Sequence, residues 1–126
     1  KENQKKGVIK GAIWHQGEGD SSNPKLYNSY QKRLSGMIAD LRTDLGEPDM
    51  PFVMGELGEF FTRPGAPTVN QALHGIAKEV PATAVASSKG LPAKSDQVHF
   101  NAESEREFGK RYAAQMLKLQ KQAAEK

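Results

Sequence analysis

Residues 7–46, "GVIKGAIWHQGEGDSSNPKLYNSYQKRLSGMIADLRTDLG", decide the fold because they hold an apolar run, a polar loop and a helical pattern in succession. The run over residues 7–14 predicts a strand. Asn23 before Pro24 is typical of a helix N-cap with proline in the first turn. Apolar residues then recur at spacings of three and four as far as Gly46. This pattern predicts one helix with a single buried face, ended by a glycine.

The same order of strand, loop and helix is repeated twice along the chain. Residues 51–57, "PFVMGEL", predict a second strand, and a helix capped at Thr68 follows it. A weaker strand over residues 83–87 precedes a helix capped at Asn101. The order βαβαβα indicates an α/β fold with a parallel sheet, because parallel strands need crossover connections that helices supply.

The length of the chain limits the number of domains that it can form. A chain of 126 residues is long enough for one core, so residues 1–126 are predicted to form a single α/β domain. Its three strands make a thin sheet, and one edge of this buried parallel sheet would lack a partner. We therefore expect the sequence to be part of a larger domain.

Composition argues against several kinds of partner. The net charge is +3, and much of the excess of lysine lies at the two ends of the chain, which predicts solvated termini and no nucleic-acid partner. The absence of cysteine excludes a thiolate nucleophile and a zinc–thiolate site. No apolar run approaches the roughly 20 residues of a membrane span, so no membrane partner is expected.

Polar residues are concentrated where each predicted strand ends. Residues 15–20, "HQGEGD", follow the first strand, Glu56 and Glu59 follow the second, and "SDQVH", residues 95–99, lies in the loop after the third. Ligands of open α/β sheets bind outside the carboxyl ends of the strands. The sequence therefore predicts a functional site at this edge of the sheet.

Asp96 and His99 are the clearest chemical pair in these loops. An aspartate three residues before a histidine can accept the Nδ1 hydrogen and stabilise the imidazolium, which leaves Nε2 to take a proton from a hydroxyl nucleophile. The alternative is a turn in which both side chains only satisfy backbone groups.

Two other kinds of site fit the polar residues less well. Gly17 and Gly19 could begin a phosphate loop, but Ser22 stands where a third glycine would be and no Gly-Lys-Ser/Thr follows. The residues that could ligate a metal lack the spacing of a known metal site, so no metal is predicted. They are His15, Glu18, Asp96 and His99.

Two segments resemble the SGNH-type carbohydrate esterases, which include acetylxylan esterases and sialate O-acetylesterases. "GAIWHQGEGDS", residues 11–21, resembles the HQGE block of that family, and "SDQVHFN", residues 95–101, resembles its D-x-x-H block. "FGKRYAAQM", residues 108–116, is similar to its terminal helix. The resemblance implies a three-layer, flavodoxin-like fold and a serine esterase that removes O-acetyl groups from carbohydrate. It also implies that no cofactor is needed and that the enzyme is secreted or periplasmic.

The resemblance also assigns roles to individual residues. It makes His99 the general base, Asp96 the acid that orients it, and Gln16 a side-chain donor to the oxyanion. Gly17 and His15 are candidates for oxyanion or substrate binding, and His15 is also interpreted as a packing residue of the loop. Glu18 is the alternative acid of the triad, or a residue that organises its loop.

One large difference from the family concerns the nucleophile. The family carries its serine in an N-terminal Gly-Gln-Ser block, and a second block supplies a glycine amide; neither is found here. The sequence is therefore interpreted as the C-terminal part of an SGNH domain, with the serine on a missing N-terminal segment or a companion chain. Gly19-Asp20-Ser21 offers a second hypothesis, a minimal hydrolase that uses Ser21. A third is an inactive α/β domain that binds carbohydrate or takes part in an assembly.

Overall fold

The computed structural model describes residues 2–126 and leaves Lys1 outside the described residues. Seven main elements follow in chain order: β1 (Ala12–Trp14), α1 (Pro24–Asn28), α2 (Tyr30–Leu45), β2 (Phe52–Gly55), α3 (Ala66–Glu79), β3 (Thr83–Ala86) and α4 (Ala102–Ala124). Short 3-10 turns cover Asn3–Lys5 and Asp20–Ser22. Within residues 2–126, no helix is both long enough and apolar enough to cross a bilayer.

The three strands form one parallel sheet in the order β1-β2-β3. Phe52 of the central strand lies opposite Ala12 on one side and Thr83 on the other. The predicted α/β fold with a parallel sheet is thus confirmed. Strand β1 is an edge of this sheet, and its Ile13 is 67% exposed.

Helices cover both faces of the sheet, because successive side chains of β2 point to opposite faces. Phe52 and Met54 pack in one cluster with residues of α2 and α3, whereas Val53 packs in a second cluster with Phe108 of α4. All three of these β2 side chains are buried. The result is three layers, with the sheet between α2 and α3 on one side and α4 on the other.

The predicted helix after Pro24 is interrupted. Helix α1 ends at Asn28 and α2 begins at Tyr30, with Ser29 between them. The hydroxyl of Ser29 donates a hydrogen bond to the carbonyl of Lys25, and such local bonding by serine competes with regular helix geometry. The predicted C-terminal end is confirmed, since Gly46 has a left-handed φ of 69°.

Two other boundaries differ from the prediction. The first strand covers only Ala12–Trp14 of the predicted residues 7–14, because Pro51 opposite its start has no N–H to donate. The helix predicted to be capped at Thr68 begins at Ala66, since Pro67 fits the first turn, where an N–H has no helical partner.

The caps at Asn23 and Asn101 are confirmed. The side chain of Asn23 accepts a hydrogen bond from the N–H of Lys25, and that of Asn101 accepts one from the N–H of Ser104. The second cap fixes the start of α4 directly after the loop that carries His99.

Arg42 joins α2 to the segments that enter β2 and β3. Its guanidinium donates to the carbonyl oxygens of Met50 at 2.8 Å, Pro81 at 2.9 Å and Ala82 at 3.2 Å, and the residue is only 8% exposed. Arg42→Met keeps the aliphatic stem and leaves these carbonyls without their charged donor. We expect a loss of about 2 kcal/mol in the free energy of unfolding, measured by urea denaturation of the folded protein.

The matched control is Lys32→Met, on the exposed side of the same helix. This change removes an equal charge without touching a loop carbonyl, and it is expected to leave the urea midpoint within error. Equal destabilisation by the two variants would contradict the role given to Arg42.

Candidate active site at the carboxyl edge of the sheet

The loop after β1 and the loop before α4 meet through aromatic contacts. The His15 ring lies edge-on to Phe100, with centroids 5.7 Å apart, and edge-on to Phe108 at 5.6 Å. Phe100 is the residue after His99. The structure therefore places the first polar cluster beside the turn that carries the Asp96–His99 pair.

Asp96 and His99 form a hydrogen-bonded pair. Asp96 Oδ2 lies 2.7 Å from His99 Nδ1, and Asp96 Oδ1 accepts the N–H groups of Val98 at 2.9 Å and His99 at 3.0 Å. These hydrogen bonds hold the pKa of Asp96 well below its usual range, and the bond from the His99 side chain makes the largest contribution. An ionised Asp96 accepts the Nδ1 hydrogen, so Nε2 is the ring nitrogen left for proton transfer.

The turn that holds this pair depends on an unusual backbone conformation. Gln97 has a φ of 55°, in the left-handed region that residues other than glycine seldom adopt. The N–H groups of both Val98 and His99 reach the Asp96 carboxylate in this turn. A single antiparallel β-bridge between Ala93 and Phe100 closes the loop that contains this turn. The His99 side chain is 70% exposed and so is accessible to a substrate or to another segment.

Gln16 lies in a polar network that sequence reasoning missed. Its Nε2 donates to Asp20 Oδ1 at 3.0 Å, and the Tyr30 hydroxyl lies 3.0 Å from Gln16 Oε1 and 2.8 Å from the Gln16 carbonyl oxygen. Asp20 also forms an ion pair with Arg33. The network borders a cavity of about 200 Å³ lined by Trp14, Gln16, Asp20, Tyr30, Arg33, Leu34 and Met37. Gln16 is thus held by residues of α2 and of its own loop.

Glu18 lies beside His15. Glu18 Oε1 is 3.5 Å from His15 Nδ1, and His15 Nε2 is 3.2 Å from the carbonyl oxygen of Glu56. Of the two candidate acids, Asp96 is the one in contact with His99. His15 is exposed at this edge, and its ring contacts Phe100 and Phe108.

Gly17 and Ser21 occupy crowded positions. A Cβ atom at Gly17, whose φ is 135°, would lie 2.7 Å from Val69 Cγ1, so no larger residue fits there. Ser21 is 0% exposed, and its hydroxyl donates to the Gly17 carbonyl at 2.7 Å. A serine in this setting has neither a base beside it nor access for a substrate.

Glu56 fixes the end of β3 and is a second residue that sequence reasoning did not assign. Its Oε1 accepts the N–H of Ser88 and its Oε2 lies 3.0 Å from His74 Nε2, both at the carboxyl edge. Burial raises the pKa of Glu56, but the bonds from His74 and Ser88 outweigh it and the net pKa is lowered. His74 lies on α3 and is exposed at the rim of the site.

An apolar groove runs along the free side of β1. This β1 groove has a volume of about 560 Å³ and is lined by Ile13, Trp14, His15, Phe108, Tyr112 and Met116, among others. The N–H of Ala12 donates to the carbonyl oxygen of Pro51. Because the backbone groups of successive residues in a strand point to opposite sides, the N–H and carbonyl of Ile13 point away from β2. The groove therefore lies beside backbone groups that the sheet leaves unpaired.

No set of three or more His, Asp or Glu side chains within residues 2–126 is close enough to hold a metal ion. The chemistry that the described groups support is proton transfer by His99 and hydrogen bonding by Gln16.

Comparisons with known proteins give the family. Residues 1–118 match the family described as carbohydrate esterase, sialic acid-specific acetylesterase. The chain is 29% identical over 106 residues to a protein of Arabidopsis thaliana named as a probable carbohydrate esterase, a match that covers 82% of this chain and 38% of that protein.

Two solved structures share the fold. The X-ray structure of that Arabidopsis protein has a TM-score of 0.83 at 26% identity, over 93% of this chain and 48% of that one. A carbohydrate acetylesterase from Xanthomonas citri has a TM-score of 0.73 at 22% identity, over 86% of this chain and 25% of that one. The match therefore covers less than half the length of each of these relatives. Because the family model matches residues 1–118, this chain belongs to the family of sialic acid-specific acetylesterase-like carbohydrate esterases.

Proposed function

We propose that this chain supplies the base and part of the oxyanion site of a serine esterase that removes O-acetyl groups from carbohydrate. The observation that carries the proposal is the 2.7 Å contact between His99 Nδ1 and Asp96, which leaves Nε2 available in an exposed turn. Membership of a carbohydrate esterase family supports the reaction class. The proposed substrate is acetylxylan or acetylated sialate, and the proposed location, based on the family resemblance, is secreted or periplasmic.

The reaction proceeds through a covalent acetyl-enzyme. A serine oxygen attacks the acetyl carbonyl while His99 Nε2 takes the serine proton, and Asp96 stabilises the imidazolium. The amide of Gln16 donates to the oxyanion of the tetrahedral intermediate. His99 then gives its proton to the departing sugar oxygen. Water repeats the sequence on the acetyl-enzyme and releases acetate.

The serine comes from a segment that pairs with β1. A strand added in parallel to the free edge of β1 would end at the same edge of the sheet as His15 and Gln16, because the carboxyl ends of parallel strands lie together. Its inward side chains would fill the β1 groove and cover Ile13. The match covers only 38% of the curated relative and 48% of the solved Arabidopsis chain, and the extra length of these relatives supports such a segment.

Labelling with a fluorophosphonate, followed by intact mass analysis, tests the proposal. This probe forms an adduct with an activated serine, and we expect the adduct on a species other than the 13.8 kDa chain. An adduct on the 13.8 kDa chain at Ser21 would overturn the assignment of the serine and favour the minimal hydrolase. Saccharide binding with no adduct on any species would instead support the inactive binding domain.

Two histidine variants make the test specific. His99→Ala removes the base and is expected to lower the rate of labelling by about 10³ or more. His74→Ala is the matched control, because His74 is an exposed histidine that is also paired with a carboxylate. It is expected to label at the wild-type rate, and similar losses in both variants would contradict the role of His99.

A further inference from the structure

The orientation of the Gln16 amide matters for the proposed oxyanion site. The two ends of a glutamine amide have nearly the same shape, but only the nitrogen end donates hydrogen bonds. A rotation of 180° would therefore present an acceptor to the oxyanion and raise its energy. Neighbouring side chains must therefore hold the nitrogen end of the amide toward the oxyanion.

Tyr30 fixes the oxygen end of the amide. The tyrosine is buried, and its oxygen accepts the indole N–H of Trp14 at 3.3 Å. The hydroxyl hydrogen must then go to an acceptor, and Gln16 Oε1 at 3.0 Å and the Gln16 carbonyl at 2.8 Å are both in reach. When this single hydrogen goes to Gln16 Oε1, an amide turned the other way would place an N–H group against it.

Asp20 fixes the nitrogen end. Its Oδ1 lies 3.0 Å from Gln16 Nε2, and its Oδ2 pairs with the Arg33 guanidinium. Burial raises the pKa of Asp20, but the bonds from Arg33 and Gln16 outweigh it and the net pKa is lowered. An ionised carboxylate can only accept hydrogen bonds, so the amide oxygen cannot face it. Asp20 takes one of the two Nε2 hydrogens, and the other is left for a ligand.

We infer that Asp20 is a positioning residue which, with Tyr30, holds the nitrogen end of Gln16 toward the reacting carbonyl. The inference rests on the proposed function, because it concerns the donor that the proposed reaction needs. Asp20 itself does not touch the substrate. Its effect on the reaction passes through the Gln16 amide.

Asp20→Asn tests the inference in the active esterase preparation. An asparagine can present either its oxygen or its NH₂ group to Gln16, so it no longer selects one orientation. We expect kcat to fall about 10-fold while KM stays near the wild-type value, a smaller loss than the removal of the whole donor causes. Asp40→Asn is the matched control, since Asp40 is exposed on α2, and it is expected to keep full activity.

A double-mutant cycle separates positioning from general destabilisation. In the Gln16→Ala background, Asp20→Asn should cause no further loss, because the group on which it acts is gone. A 10-fold loss that persists in this background would overturn the inference, and so would wild-type kcat in Asp20→Asn alone. Should Asp20→Asn fail to fold, Tyr30→Phe replaces it in the cycle, because the change keeps the buried ring and removes only the hydroxyl.

A measurement that needs no activity distinguishes the inference from the proposed function. The side-chain amide signals of Gln16, identified by their loss in Gln16→Ala, can be followed by NMR in ¹⁵N-glutamine-labelled protein. We expect Asp20→Asn to shift them and Asp40→Asn to leave them in place. Unmoved signals in Asp20→Asn would overturn the inference. If the signals shift in Asp20→Asn while the wild-type protein shows no esterase activity, the orientation by Asp20 is supported and only the proposed function is contradicted.

Discussion

Asp96→Asn is expected to lower kcat for ester hydrolysis by about 10³–10⁴, with KM near the wild-type value. The asparagine amide can donate to His99 Nδ1, which favours the tautomer with its hydrogen on Nε2 and leaves no base for the serine. The neutral side chain also cannot stabilise the imidazolium that forms in the transition state. Steady-state kinetics with an acetylated sugar or p-nitrophenyl acetate measure the effect.

Glu18→Gln provides the contrast for this prediction. Glu18 contacts His15 at 3.5 Å, whereas Asp96 contacts His99 at 2.7 Å, so the Glu18 variant is expected to lose far less activity. The reverse order of losses would make Glu18 the acid of the triad. Near-UV circular dichroism of both variants checks that neither loss reflects unfolding.

Because the pKa of Asp96 is low, this residue has little influence on the pH dependence of activity near neutral pH. Its folded pKa lies below the value of about 3.9 for an unperturbed aspartate, so the stability that the carboxylate gives to the turn is fully present above that pH. The contribution is lost only as the pH falls through the folded value. A decrease in activity between pH 7 and pH 5 would therefore arise from a group other than Asp96.

Gln16→Ala is expected to lower kcat by about 10²–10³, the usual cost of one oxyanion donor. The side chain is half-buried, and its loss removes the bonds to Asp20 and Tyr30. A thermal melt is therefore needed to locate the midpoint of unfolding of the variant. The loss in kcat is expected at temperatures well below that midpoint.

Gln31→Ala is a suitable control for this prediction. Gln31 lies on α2 and its Nε2 also donates to a carboxylate, that of Glu79 at 3.1 Å, away from the candidate site. It is expected to retain wild-type kcat. An unchanged rate in Gln16→Ala would refute the oxyanion role of Gln16.

Local sequence signals predicted most of the fold. Asn23, Gly46 and Asn101 each mark a helix end through bonds or backbone angles of their own, so their positions were readable without the tertiary structure. The break at Ser29 was not predicted because the apolar spacing continues across it. The start of α3 was misplaced because Thr68 is a good capping residue, but Pro67 already lies inside the helix.

In the candidate site, the contact between residues close in the sequence was predictable, whereas the contact between distant residues was not. Asp96 and His99 are three residues apart and were paired from the sequence because one turn suffices to bring them together. The family resemblance implies that Gln16 is a donor, but Tyr30, which contacts it, is 14 residues away along the chain and reaches it because α2 packs beside the loop. Sequence spacing holds no direct signal of such a contact.

Trp14 is the only tryptophan in the chain, and it lines both the β1 groove and the cavity beside Gln16. Its indole therefore gives the protein an intrinsic fluorescent reporter at the border of two surfaces. A strand seated in the groove would shield the ring from water and shift its emission to shorter wavelength. Assembly of the site can thus be followed optically, in real time and without an attached dye.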